Sequence, residues 1–96
     1  MNERRSYAVN ININGRDINE VVIDPHFEKK HSDIDDALIL ELIGYLDGRE
    51  FLPEESEGDW EYFMLDQLEH EGKLYRLVWC MRAQCLFIGI INCFRR

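Results

Sequence analysis

The chain contains no apolar run close to the roughly 18–20 residues that a membrane-spanning helix requires. Its first residues, Met-Asn-Glu-Arg-Arg-Ser-Tyr, also lack the apolar segment of a signal peptide. We therefore expect no membrane association and a cytoplasmic location. The 46% hydrophobic composition supplies enough apolar side chains for one compact core, so we expect a single domain over residues 1–96.

The chain lacks a recognisable cysteine motif. Cys80, Cys85 and Cys93 lie in the most apolar segment without a C-x-x-C spacing, which favours buried thiols over disulfides or a zinc site. The sequence also lacks a glycine-rich phosphate loop and a G-x-S-x-G nucleophile motif. We therefore predict no cofactor. Histidine is a common metal ligand, but the spacing of His26 and His31 matches no metal motif, so we predict no metal site.

Basic residues are outnumbered, with 11 Lys and Arg against 19 Asp and Glu, and they are unevenly distributed. Residues 32–72 contain fourteen acidic residues and one basic residue, whereas residues 73–96 contain five basic residues and no acidic one. Affinity for nucleic acid comes mainly from neutralising phosphates, so the net charge of −8 argues against a dedicated duplex binder. Only a compact basic site remains compatible with this charge.

The N-terminal half predicts a β-hairpin followed by a helix. Residues 7–13 alternate apolar and polar side chains, Asn14-Gly15 is a two-residue turn signal, and residues 18–23 supply the returning strand. Ser32 is a predicted helix N-cap. The apolar stripe that follows has helical spacing and predicts one α-helix over about residues 33–47.

The C-terminal half predicts three strands, over residues 60–65, 74–81 and 85–94, after a solvated loop at residues 49–59. The last strand is apolar at nearly every position, as expected for a strand at the centre of a sheet or covered on both faces. The predicted fold class is α+β: an N-terminal β-hairpin, one α-helix, and then a three-stranded antiparallel meander packed on the helix.

The C-terminal hairpin resembles a known family. Its features are Tyr75-Arg-Leu-Val-Trp79, a short polar connection, and the apolar strand Leu86-Phe-Ile-Gly-Ile-Ile91 that runs into Arg95-Arg96. This pattern, about a quarter of the chain, resembles the C-terminal hairpin of the RelE/ParE-like toxins of bacterial toxin–antitoxin pairs. The resemblance implies a metal-independent RNA endonuclease whose partners are RNA and an antitoxin protein.

The resemblance also implies roles for individual residues. Arg76 would contact the scissile phosphate, and Arg95 or Arg96 would supply the C-terminal basic group. Tyr75, beside Arg76, is a candidate RNA contact without a secure counterpart in the family. Metal-free RNA cleavage needs a base, an acid and a cation that stabilises the phosphate, and the planar guanidinium of arginine suits the last role.

A connector of mixed charge lies before the predicted helix. His31 or His26 can supply the acid or the base, because imidazole titrates near neutral pH. Lys29 and Lys30 lie between them and are candidate RNA contacts. The same residues also have structural interpretations, because surface cations commonly pair with nearby carboxylates.

Three hypotheses follow from the sequence. The first is a RelE-like toxin with ribonuclease activity, in which the terminal hairpin and the connector form one basic site. The second is a non-catalytic protein-binding module, and the third is a homodimer that forms through the apolar hairpin. Under the structural interpretation, Arg76 pairs with the acidic middle segment and Arg95 and Arg96 are a solubilising tail.

Overall fold

The structure, a computed structural model, describes residues 5–23 and 34–96. These residues form one six-stranded mixed sheet and one α-helix. The elements in chain order are β1 (Arg5–Ile13), β2 (Arg16–Ile23), α1 (Asp36–Gly44), β3 (Glu55–Glu57), β4 (Trp60–His70), β5 (Lys73–Arg82) and β6 (Phe87–Arg95). Across the sheet the strand order is β1-β2-β6-β5-β4-β3.

The predicted α+β fold, with a three-stranded meander packed on the helix, is wrong. β2 runs parallel to β6, so the N-terminal hairpin and the C-terminal strands belong to one sheet. β3 adds a sixth strand inside the segment that was predicted to be a loop. In the two described ranges, the fold is therefore mostly β with one short helix. The prediction failed because apolar periodicity reports which face of a strand is buried, whereas the identity of the neighbouring strand depends on residues distant in sequence.

Two tight turns set the paths of the hairpins. Asn14 and Gly15 have φ angles of 57° and 77°, and Glu71 and Gly72 have φ angles of 52° and 79°. Two consecutive residues of positive φ are typical of the two-residue turns that match the twist of antiparallel strands. The Asn14 side chain also accepts a hydrogen bond from the backbone N–H of Phe51 at 2.5 Å and donates one to its carbonyl at 3.1 Å. The first turn is thus tied to the loop that follows α1.

Helix α1 is shorter than predicted. It begins at Asp36, and the carboxylate of Asp35 caps it by accepting a hydrogen bond from the Leu38 N–H at 2.9 Å. Asp35 has extended backbone angles, as an N-cap residue should. The predicted cap, Ser32, lies outside the described residues. The helix ends at Gly44, and residues 45–48 form turns.

The hydrophobic core lies between α1 and one face of the sheet. Ile39, Leu42 and Ile43 of the helix are buried there. The buried side chains of the sheet include Ile18, Val21, Ile23, Phe63, Leu77, Trp79, Met81, Ile88, Ile90 and Cys93. The Phe63 and Trp79 rings stack with their centroids 5.4 Å apart. In the part of the chain that the structure describes, α1 is the only helix, and it covers this face alone.

Candidate functional site

The face of the sheet opposite α1 carries an unusual number of apolar side chains, and we call it the open face. Register places Tyr62 beside Cys80, Cys80 beside Gly89, and Gly89 beside Val22. Directly paired residues lie on the same face of a sheet, so this row crosses four strands. Apolar residues of the open face include Val22, Trp60, Tyr62, Met64, Val78, Cys80, Phe87, Gly89 and Ile91.

The side chains of the open face remain partly accessible. Met64 is 38% exposed and Ile91 is 40% exposed, and the other side chains of the set are half-buried. An antiparallel sheet with one solvated face normally carries polar residues on that face. Here β4, β5 and β6 carry apolar residues on both faces, so the alternation expected of a solvated sheet is lost.

A groove lies at the centre of the open face. The rings of Trp60 and Phe87 meet edge to face with centroids 5.9 Å apart, and together with Val22 they border a cavity of about 230 Å³. Gly89 forms part of the lining because it has no side chain; a Cβ atom there would lie 3.0 Å from the Cys80 sulfur. The groove is therefore a depression that a single apolar side chain can enter.

Carboxylates border the open face at β3. Glu55 pairs with Tyr62 and Glu57 pairs with Trp60, so both acidic residues lie on the open face, and both are exposed. Arg82 lies at the end of β5 with its guanidinium carbon 5.7 Å from the Trp60 ring centroid. Two negative charges and one positive charge therefore flank this side of the apolar surface.

A further carboxylate borders the open face on the other side. Glu20 of β2 is exposed and lies beside Phe87 of β6 and beside Ala8 of β1. The apolar surface thus lies between acidic residues of β3 and an acidic residue of β2.

Two of the predicted site residues, Arg76 and Arg96, lie together. Arg76 donates to the Asp66 carboxylate at 3.1 Å, and Arg96 Nε lies 3.0 Å from the same carboxylate and forms an ion pair with it. The hydrogen bond from Arg76, with the charges of both arginines, holds the pKa of Asp66 below its ordinary value. The Arg76 guanidinium also lies 5.4 Å from the Phe94 ring centroid. In the structural interpretation, Arg76 pairs with the acidic middle segment of the chain, and Asp66 belongs to that segment.

Two other predicted site residues, Tyr75 and Arg95, are not part of this cluster. Tyr75 is only 5% exposed and belongs to the core. Arg95 on β6 is paired with Tyr75, so strand alternation directs the Arg95 side chain to the side of the sheet opposite Arg76. The remaining candidates, His26, Lys29, Lys30 and His31, lie outside the described residues.

His70, which was not among the predicted site residues, lies between two carboxylates. His70 Nε2 lies 2.7 Å from Glu41 and 3.4 Å from Glu71, and Nδ1 lies 2.8 Å from the Tyr45 hydroxyl. The donor atoms of Glu41, His70 and Glu71 lie within 4.8 Å of one another, so they are of a type and spacing that a divalent cation can use. Both carboxylates are exposed and pair with His70 itself. Nothing in the local sequence signals this group, because Glu41 and His70 meet only through the packing of α1 near the end of β4.

A comparison with known protein families, with curated proteins and with solved structures found no match for this chain. Helix α1, with nine residues, is far too short to cross a bilayer, and the described residues contain no longer apolar helix.

Proposed function

We propose that this chain is a non-catalytic protein-binding module and that the open face is its contact surface. The observation that carries the proposal is the contiguous set of partly exposed aromatic and aliphatic side chains across β2, β6, β5 and β4. Single exposed apolar residues are normal on protein surfaces, whereas contiguous apolar patches rimmed by polar residues mark interaction sites.

The residue types of the open face support this proposal. Trp60, Tyr62, Met64 and Phe87 belong to the types that are enriched at the centres of protein interfaces. Charged residues are depleted at the centres of interfaces and occur at their rims. Glu55 lies at the border of the apolar surface. The groove next to Trp60 and Phe87 supplies the kind of pocket in which the anchoring side chain of a partner is buried.

A pair of matched substitutions tests the proposal. Tyr62→Glu places a carboxylate at the centre of the open face, and Leu52→Glu makes the same change at a residue that is 89% exposed in the loop before β3. A charge buried without a partner at an interface centre costs about 2 kcal/mol or more. We expect the wild-type chain and Leu52→Glu to be purified from cells in a complex of fixed stoichiometry, and Tyr62→Glu to be purified alone with an unchanged circular dichroism spectrum. A complex that survives Tyr62→Glu, or a wild-type chain without a partner, contradicts the proposal.

The RelE-like ribonuclease stays a prediction. Arg76 and Arg96 lie close enough together to contact one phosphate, but Asp66 already pairs with both of them. If the prediction is right, expression of the wild-type chain halts growth and cleaves RNA, and expression of an Arg76→Ala/Arg96→Ala variant does neither. Equal growth and intact RNA in both strains would contradict it.

A further inference from the structure

The apolar part of the open face has the dimensions of a short α-helix. Its width, from β4 across β5 and β6 to β2, equals three strand spacings, or about 14 Å. An α-helix with its side chains is about 10–12 Å wide. Along β4, the distance from Trp60 to Met64 is about 13 Å, which corresponds to between two and three helical turns. One helix that runs along the strands therefore fits the apolar surface.

The charges beside this surface favour a cationic partner. A helix seated along the strands has Glu55 and Glu57 on one flank and Glu20 on the other. Arg82 lies at this border by the Trp60 ring, and Arg76, which lies on the same face two residues from Val78 on β5, pairs with Asp66. The net charge of −8 acts in the same direction over a longer range, because it attracts cations and repels a second copy of the chain.

We infer that the open face binds a basic amphipathic helix, an inference that rests on the proposed function. The apolar stripe of the helix covers the row from Tyr62 to Val22, and one of its large side chains enters the groove at Gly89. Lysine and arginine residues on both sides of that stripe face Glu55, Glu57 and Glu20. Amphipathic helices that lie in apolar grooves are a recurring mode of peptide recognition.

Two other occupants are less well matched to the surface. Aromatic side chains on a sheet can stack with the bases of single-stranded RNA. However, the carboxylates on both flanks repel the phosphate backbone, whose neutralisation supplies most of the affinity for nucleic acid. A second copy of the chain would bring the same acidic flanks together.

Binding of designed probes tests the inference. The first probe is a helical peptide of about 18 residues with a leucine stripe and lysine at the other positions. The second probe has glutamate in place of every lysine, and the third is a single-stranded oligouridine. Affinities are measured by fluorescence anisotropy at physiological salt. The proteins are the wild type, Tyr62→Glu, Leu52→Glu, Glu55→Lys/Glu57→Lys and Glu41→Lys/Glu50→Lys.

The last two variants form a control for non-specific attraction. Both change the net charge by the same amount, but Glu41 is on α1 and Glu50 is in the loop after it. We expect the leucine–lysine peptide to bind the wild type and Glu41→Lys/Glu50→Lys similarly. We expect it to bind Glu55→Lys/Glu57→Lys and Tyr62→Glu at least about tenfold more weakly, since the former loses its charge partners and the latter its apolar contact.

Several outcomes overturn the inference. The inference fails if binding of the leucine–lysine peptide is weakened equally in both double variants. It also fails if the wild type binds the leucine–glutamate peptide as tightly as the leucine–lysine peptide or more tightly, or if it binds oligouridine more tightly. A wild-type dimer that Tyr62→Glu converts to a monomer likewise contradicts the inference. The proposed function is judged separately. If Tyr62→Glu abolishes the cellular complex while the peptide does not distinguish the double variants, the helix inference fails and the binding module stands. If the cellular complex survives Tyr62→Glu, the binding module fails.

Discussion

Asp36 joins strand β1 to the start of α1. Arg5 donates to its carboxylate through Nε at 2.5 Å and Nη2 at 2.7 Å, and the Tyr7 hydroxyl donates to the same carboxylate. The hydrogen bonds from Arg5 are the main reason that the pKa of Asp36 lies below its ordinary value. The hydrogen bond to Asp36 raises the pKa of Tyr7. A single partly buried carboxylate therefore connects the sheet to the helix.

We predict that Asp36→Asn lowers the free energy of unfolding by about 1–2 kcal/mol at neutral pH, because it weakens charge-assisted hydrogen bonds. The pKa of Asp36 is lower in the folded chain than in the unfolded chain, so its stabilising contribution is fully present above the unfolded value. That contribution is lost as the pH falls below about 4 and through the folded pKa.

Urea denaturation of the wild type and Asp36→Asn, at neutral pH and at acidic pH, measures this contribution. The difference between the two proteins should shrink as the pH falls. The exposed Asp59 provides a control substitution, Asp59→Asn, which should have little effect at either pH. A difference between wild type and Asp36→Asn that is unchanged at acidic pH would contradict the prediction.

At the scale of elements, β5 separates the core from the open face. Leu77 is fully buried against the core, and the next residue, Val78, is half-buried on the open face beside Met64. Alternation of side chains along the strand produces this division. Core stability and the proposed binding therefore depend on neighbouring residues of one strand.

We predict that Leu77→Ala lowers the free energy of unfolding by about 2–5 kcal/mol, because it leaves a cavity in the core. Val78→Ala should cost about 1 kcal/mol or less, because its side chain is only partly buried. Thermal and urea unfolding measure both values. Val78→Ala should also weaken binding of the leucine–lysine peptide while the fold is retained. Equal destabilisation by the two substitutions would show that the open face is part of the core.

The turn between β1 and β2 depends on Asn14 for two separate reasons. Its φ angle of 57° is unfavourable for most residues, and its side chain binds the backbone of Phe51. Asn14→Gly removes only the side-chain hydrogen bonds, whereas Asn14→Ala also introduces strain. We expect Asn14→Ala to be less stable than Asn14→Gly by about 1 kcal/mol in urea denaturation. Equal stabilities would mean that the turn changes conformation in the alanine variant.

At the scale of the whole molecule, charge governs association. A net charge of −8 on a chain of 11.5 kDa opposes self-association and favours encounter with cations. We predict that the isolated chain sediments as a monomer at tens of micromolar. Sedimentation velocity at low and physiological salt provides the test. A dimer under both conditions would instead support the homodimer hypothesis, with the open face as the interface.

Local signals in the sequence were sufficient to predict several elements. Asn14-Gly15 predicted a tight turn between two strands, and that turn is present. The strands predicted over residues 60–65, 74–81 and 85–94 correspond to β4, β5 and β6, although β4 continues to His70. The predicted helix start was wrong because aspartate and serine have similar N-cap propensities. Asp35 caps the helix, and the prediction chose Ser32 instead.

The candidate site was less predictable than the elements. The apolar character of β6 in the sequence predicted a strand that is covered on both faces or lies at the sheet centre, and β6 lies between β2 and β5. That interpretation did not reveal that Phe87 and Ile91 lie on the face opposite the helix. The predicted basic site depended instead on the charges of Arg76 and Arg95, which strand alternation directs to opposite faces.

The sequence by itself determined the turns, the approximate positions of the strands, the presence of a helix after the hairpin, and the acidic character of the chain. These properties depend on neighbouring residues or on composition. Only the tertiary structure decided that β2 lies parallel to β6, that Asp66 holds Arg76 and Arg96, and which face of the sheet α1 covers. These properties depend on contacts between residues far apart in the chain. Within residues 5–23 and 34–96, one short helix covers one face of the six-stranded sheet, so the apolar residues on the other face form a surface.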